Sequence, residues 1–195
     1  VGEVVQIWKP KELNTFETEW GFSCMGYEIS GALGVKMAKP NQDVIVFVGD
    51  GSYLLANSDI YSSVIYDKKL IIIVCDNGGH MVINRLQLAK GGKEYICNLR
   101  AARASNLQFV DFEAHAKSMG ANGETVSSTS ELEAAFLRAK KSNKTYVISI
   151  KTDGYQWLEG TAFWESPTLE VHTSDENKKA FKDFNKGKNK QRKGV

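Results

Sequence analysis

The chain has 195 residues, 42% apolar and 25% charged. That is room for one large domain or two small ones, at a composition that excludes wholesale disorder, collagen and coiled coil. The net charge of +2 is misleading, because eight of the 25 basic residues fall in 178–195 against the single acid Asp183; the remaining 17 basic and 22 acidic residues carry −5, which disfavours a nucleic-acid-binding face on the body.

The first twenty residues are mixed in character and broken by Pro10. Residues 21–37 carry glycines at 21, 26, 31 and 34 in a helical setting and end at the turn Lys39-Pro40-Asn41. Val44-Ile45-Val46-Phe47-Val48 is a continuous β-branched and aromatic run, the pattern of a strand buried on both faces. Residues 57–66 suit a helix, and 70–75 form a second buried strand. Helices are expected over 111–119 and 130–141, and a third buried strand over 146–150. Buried strands alternating with amphipathic helices predict an α/β fold: a three-layer, doubly wound, mainly parallel sheet with helices on both faces. The domain is expected to span 1–165. Residues 166–195 read as a Lys-rich C-terminal extension, in which Phe181 and Phe184 could dock a short helix and the end frays.

The apolar runs are too short to cross a bilayer, and Lys9, Lys11 and Glu12 interrupt any signal-peptide pattern. Cys24, Cys75 and Cys97 lack CxxC spacing and read as free thiols, which points to a reducing, cytoplasmic location.

The segment from Val44 to Met81 carries the chemistry. Gly49-Asp50-Gly51-Ser52 directly follows one strand, and Asp76-Asn77-Gly78-Gly79 directly follows the next; 26 residues separate Asp50 from Asn77. A helix of about ten residues between two short strands matches one right-handed βαβ crossover. Both motifs then stand at the carboxyl ends of parallel strands, where open α/β sheets bind ligands. Asp50 offers a hard anionic oxygen and Asn77 an amide oxygen, while Gly78 and Gly79 leave a backbone carbonyl free to turn inward. Magnesium prefers such oxygens, completed by phosphate. Gly51 allows close approach of a phosphate, and Ser52 offers an N–H and a hydroxyl near a helix start.

These residues resemble the thiamine-diphosphate signature of the pyruvate decarboxylase and acetolactate synthase superfamily, Gly-Asp-Gly followed at a fixed interval by Asn-Asn. Asp76 stands in place of the first Asn. The resemblance implies magnesium ligands at Asp50, Asn77 and the Gly79 carbonyl, and extends the cofactor-binding set to Gly49, Gly51, Ser52, His80 and Met81. Gly21-Phe22-Ser23-Cys24-Met25-Gly26 resembles the block that holds the aminopyrimidine ring. There Met25 would prop the bent cofactor, beside Cys24, and the Ser23 carbonyl would accept from the 4′-amino group. A closer resemblance, over 20–190, is to the trihydroxycyclohexane-1,2-dione hydrolases of myo-inositol breakdown. It rests on Ser23-Cys24-Met25-Gly26-Tyr27-Glu28-Ile29, Gly49 to Leu54 with Asn57-Ser58, Ile83-Asn84-Arg85-Leu86-Gln87, Phe163-Trp164 and the Lys-rich finish.

That family opens a cyclic 1,2-diketone by carbon–carbon cleavage. Its activating Glu lies on a separate pyrimidine-binding domain, usually contributed across a homodimer interface. The resemblance therefore implies a diphosphate-binding part of a larger enzyme, without the pyrimidine-binding and central domains and inactive alone. An acetolactate synthase or 2-oxo-acid decarboxylase on the same cofactor is the rival reading; a non-catalytic phosphate- or nucleotide-binding module is the second.

Other residues stay open between two roles. His80 faces substrate or loop surface. Glu28 reaches a substrate hydroxyl or simply suits a helix dipole. Asn84, Arg85 and Gln87 line a pocket beyond the metal loop or form a mobile polar segment. His115 and His172 read as structural, Cys24 and Cys75 as buried thiols, and the basic tail as a solvated extension.

Overall fold

The computed structural model describes residues 2–19, 22–158 and 168–191; Gly21, Phe163 and Trp164 lie outside the described residues. Four parallel strands form one sheet in the order β1-β2-β4-β3: β1 Ile45–Gly49, β2 Ile71–Asp76, β3 Asn122–Val126 and β4 Tyr146–Lys151. The helices are α1 Gly2–Ile7, α2 Tyr27–Ala38, α3 Asp50–Leu55, α4 Asp59–Ile65, α5 Met81–Ala89, α6 Phe112–Ser118, α7 Thr129–Lys141 and α8 Asp175–Lys188.

The two faces of the sheet carry separate cores. On one, Val46, Val48, Ile72, Val74 and Val147 pack with Ile29 and Leu33 of α2, Tyr53, Ile60 and Phe112. On the other, Ile71, Val126 and Ile148 meet Ala135 and Ala139 of α7, and Trp8 stands edge-on to Phe47 with ring centroids 6.1 Å apart. Covering both faces is what makes β1 and β2 continuous apolar runs and β4 one interrupted only by Ser149; each fully buried Val or Ile contributes about 1.5–3 kcal/mol. The three-layer doubly wound expectation is met.

Helix starts follow local chemistry. Asp111 caps α6 by accepting from Ala114 N at 2.9 Å. Ser128 caps α7, where Glu131 reaches back to Ser127 N at 2.7 Å.

Four features depart from the sequence reading. β3 was not anticipated, because Asn122-Gly123-Glu124-Thr125-Val126 has no apolar run; it needs none, being an edge strand with only Gly123 and Val126 buried. The crossover between β1 and β2 holds two helices, α3 and α4, instead of one over 57–66, so the first begins directly at Asp50. Residues 84–87, the polar segment, lie within helix α5. The tail carries the helix expected around Phe181 and Phe184, but a longer one of 14 residues: α8 docks beside the end of α5, where Asn177 Nδ2 donates to the Gly91 carbonyl at 2.8 Å and Lys90 lies over the Phe184 ring.

Candidate functional site

β1 and β2 are adjacent and parallel, with Gly49 in register with Cys75. Their carboxyl ends therefore present Asp50 and Asn77 side by side. Asp50 is 3% exposed, and its Oδ2 accepts from Gly78 N at 3.1 Å and Gly79 N at 2.6 Å. Burial, then the nearby Asp76 carboxylate, push the Asp50 carboxyl above its ordinary range, against the pull of backbone N–H groups led by Gly79.

The inward atom of the Asn77 amide lies 3.0 Å from the Gly79 carbonyl oxygen and 3.1 Å from Asp50 Oδ1. Turned with its nitrogen inward, the amide donates to both. Turned with its oxygen inward, it joins two other oxygens at separations that repel unless a cation sits among them. Magnesium bonds of about 2.0–2.1 Å give octahedral edges of about 2.9 Å, close to these spacings. The donor set of one carboxylate, one amide and one carbonyl thus fits a hard divalent cation, and a cation would also offset the cost of the buried Asp50 charge.

The loop that shapes this set depends on glycine. Gly78 and Gly79 have φ of +86° and +137°, and a Cβ on Gly79 would stand 2.4 Å from the Cys97 carbonyl oxygen. A second segment braces the loop: His80 N donates to Cys97 O at 2.8 Å and Leu99 N to Gly78 O at 3.0 Å, forming an antiparallel bridge between Gly79 and Asn98. Buried Asn98 donates to Tyr155 Oη at 2.7 Å, and Glu94 Oε1 accepts from Asn84 Nδ2 at 2.9 Å and Tyr155 Oη at 2.8 Å. Arg100 lies over Gly78 and donates to the Asn77 carbonyl at 3.3 Å. None of Glu94, Asn98, Arg100 or Tyr155 was singled out from sequence. Their partners lie up to 61 residues away, and no local pattern marks them.

Asp76, the departure from Asn-Asn, is buried and pairs with Lys151, its register partner on β4; it also accepts from Gly78 N at 3.2 Å. Lys151 thus compensates the extra acid. His80 is half-buried and packs on Gly51, where a Cβ would meet its Nδ1 at 2.5 Å. Met81 is buried against Gly154. At Gly49, a Cβ would meet nothing.

The second block, at 22–26, sits beside the first. Glu19 accepts from Phe22 N at 3.0 Å and Cys24 N at 2.7 Å. Ser23 has φ of +52°, Met25 is 42% exposed, and Cys24 is exposed rather than buried. Ser52, buried in the first turn of α3, turns its hydroxyl to Glu28 and accepts from Gly26 N at 2.9 Å. Both blocks expected from sequence therefore converge.

Arg85 and Asn84 do not join them. They line a separate cavity of about 300 Å³ with Leu88, Tyr155 and Trp157, in which the Arg85 guanidinium stacks 4.2 Å from the Trp157 ring. Gln87 points elsewhere, to the Lys93 carbonyl. His115 is structural, its Nδ1 2.9 Å from Tyr53 Oη in the core.

Comparison with known proteins agrees with this geometry. Residues 1–150 match the family described as thiamine pyrophosphate enzyme, C-terminal TPP binding domain. A 3D-(3,5/4)-trihydroxycyclohexane-1,2-dione hydrolase of Halalkalibacterium halodurans is 38% identical over 92% of this chain and 28% of its own length. The hydrolase of the same name from Bacillus subtilis is 35% identical over 92% and 28%. The chain thus spans just over a quarter of these relatives. A thiamine diphosphate-dependent 4-hydroxybenzoylformate decarboxylase of Rhodococcus jostii superposes with a TM-score of 0.55 at 23% identity, over 66% of this chain and 23% of that one, a likeness of fold. With the family model covering most of its length, the chain belongs to the thiamine pyrophosphate enzymes, as their C-terminal TPP-binding domain.

Proposed function

We propose that this chain is the diphosphate-binding part of a magnesium-dependent, cytoplasmic hydrolase that opens trihydroxycyclohexane-1,2-dione by carbon–carbon cleavage in myo-inositol degradation. The observation that carries the cofactor reading is the convergence of Asp50, Asn77 and the Gly79 carbonyl at the ends of β1 and β2. The substrate reading rests on the relatives that bear this name, at 35–38% identity over more than nine-tenths of the chain.

In this reading Asp50, Asn77 and Gly79 hold the cation, which neutralises the diphosphate without a lysine. Ser52 offers a backbone N–H to the diphosphate, and Gly51, with no side chain, lets the diphosphate approach closely. Met25 supports the cofactor's bend, and the Ser23 carbonyl, which accepts no hydrogen bond among the described residues, receives the 4′-amino group. When bound, the cofactor would supply the carbanion chemistry that cleavage of the ring bond needs. Of the carboxylates around the pyrimidine loop, Glu19 is bonded to Phe22 and Cys24, and Glu28 to Gly26 and Ser52. The activating carboxylic acid then comes from a pyrimidine-binding domain, across a homodimer interface.

The surface supports that assembly. Phe22 on this loop is 92% exposed, and Tyr27 at the start of α2, Leu54 and Leu55 of α3 and Tyr61 of α4 are exposed as well, apolar side chains that a covering domain would bury. In the reading proposed, the pyrimidine-binding domain covers them and the substrate is a small uncharged diketone, with no role for nucleic acid or membrane; no described helix is long and apolar enough to span one. Residues 1–165 would form the cofactor domain, with 166–195 as its extension.

The test is a direct assay for the ring-opened acid with the intact enzyme, cofactor and magnesium. Ring opening, with none from residues 1–195 alone, is expected. Turnover of a 2-oxo acid instead of the dione would replace the substrate reading.

A further inference from the structure

The two cofactor-binding blocks are joined by one carboxylate. Glu28 stands in the first turn of α2, and its Oε2 accepts from Gly26 N at 2.9 Å. Ser52 Oγ lies 2.8 Å from Oε1 and 3.0 Å from Oε2, and accepts in turn from Gly26 N at 2.9 Å. These contacts close a triangle between the end of the pyrimidine loop and the first turn of α3, bridging 24 to 26 residues of sequence. The packing around it is tight. Gly26 has φ of +93°, and a Cβ there would stand 2.8 Å from the Ala56 Cβ just beyond α3. A favourable dipole at the start of α2 accounts for an acid at position 28 but not for its grip on Ser52.

We propose that Glu28 is a positioning residue: it locks the 23–26 loop to helix α3, so that the parts of the site meant for pyrimidine and for diphosphate are held as one unit. The inference rests on the cofactor reading above and adds a division of labour within it. The Ser52 hydroxyl proton is committed to Glu28, so this hydroxyl serves the pyrimidine side, and the diphosphate meets backbone N–H groups instead. Removing Glu28 or the Ser52 hydroxyl frees the loop that carries Ser23 and Met25, while Asp50, Asn77 and Gly79 keep their own bonds to one another.

The experiment compares two ligands by calorimetry on the intact enzyme with magnesium: thiamine diphosphate, which engages both blocks, and inorganic diphosphate, which engages one. Glu28→Ala and Ser52→Ala should each weaken thiamine diphosphate about tenfold, the worth of one charge-assisted hydrogen bond, and inorganic diphosphate less than about twofold. The double variant should lose little more than either single one, since both break the same lock. Glu28→Gln, which keeps an acceptor, should recover part of the loss. Equal weakening of both ligands, no weakening of either, or fully additive losses would overturn the proposal. In the wild-type, cofactor-free enzyme, the Gly26 amide should exchange slowly with deuterium; free exchange would overturn it without recourse to any variant. Dione turnover is read separately, so a wrong substrate would leave this affinity pattern intact.

Discussion

Asp50→Asn separates the two tasks of Asp50, shaping the loop and holding a cation. Asn keeps an acceptor for Gly78 and Gly79, whose N–H groups now lie 3.1 and 2.6 Å from the carboxylate. Exchanging charged for neutral acceptors costs about 1–2 kcal/mol for each bond. Against this, the variant no longer buries a charge whose carboxyl is pushed upward by desolvation and by Asp76, a relief of similar size. The cation-free protein should therefore keep its stability to within about 1 kcal/mol. Ligand-linked stability should vanish. Magnesium with thiamine diphosphate at about a hundredfold excess over Kd stabilises by about 2.7 kcal/mol, a rise in Tm of roughly 5–10 °C for a chain of this size. Thermal melts of both proteins, with and without the ligands, read the two effects together. A variant that melts like the parent and still gains the full ligand-dependent rise would refute the assignment of Asp50 as a cation ligand.

Two further outcomes follow from the loop. Gly79→Ala places a Cβ 2.4 Å from the Cys97 carbonyl oxygen at a φ of +137°; it should destabilise the chain by about 2 kcal/mol or more in denaturant unfolding and abolish magnesium-dependent binding. Hydrogen bonds, first from Asn84 and then from Tyr155, hold the Glu94 carboxyl below its ordinary range. Its bracing contribution is thus complete above the unfolded value of about 4.3 and lost as pH falls through the folded one. Amide exchange at residues 78–80 and 97–99 should accelerate, relative to the rest of the sheet, as pH falls below about 4, and Glu94→Gln should remove that pH dependence.

The fold was legible where burial is two-sided. β1, β2 and β4 read directly from their β-branched runs because both faces meet core, and α6 and α7 from their apolar spacing and their caps. β3 escaped because an edge strand that buries two residues of five needs no apolar run. α5 escaped because Asn84, Arg85 and Gln87 are polar for reasons of tertiary structure: Asn84 is buried against Glu94, and Arg85 lies on Trp157. Asp50 and Asn77 could be found because strand ends can be located from sequence and metal chemistry limits the residue types there. The Gly79–Asn98 bridge, the Glu94 brace and the Glu28–Ser52 lock depend on pairings across long stretches of chain, with individual polar residues that composition and periodicity do not single out. Asp76 is intelligible only with Lys151, 75 residues on, which supplies the charge that an Asn would not need.

The most direct test of the central claim is to locate the cation. Manganese offers the same hard, octahedral preference as magnesium and scatters anomalously, so crystals of the intact enzyme grown with thiamine diphosphate and manganese place the ion without reference to any other feature. The account predicts one anomalous peak within about 2.0–2.3 Å of Asp50 Oδ1, the Asn77 side-chain oxygen and the Gly79 carbonyl oxygen, with the Asn77 amide turned oxygen-inward. A cofactor-bound ion that leaves Asn77 with its nitrogen inward, or that lies away from the ends of β1 and β2, would contradict it.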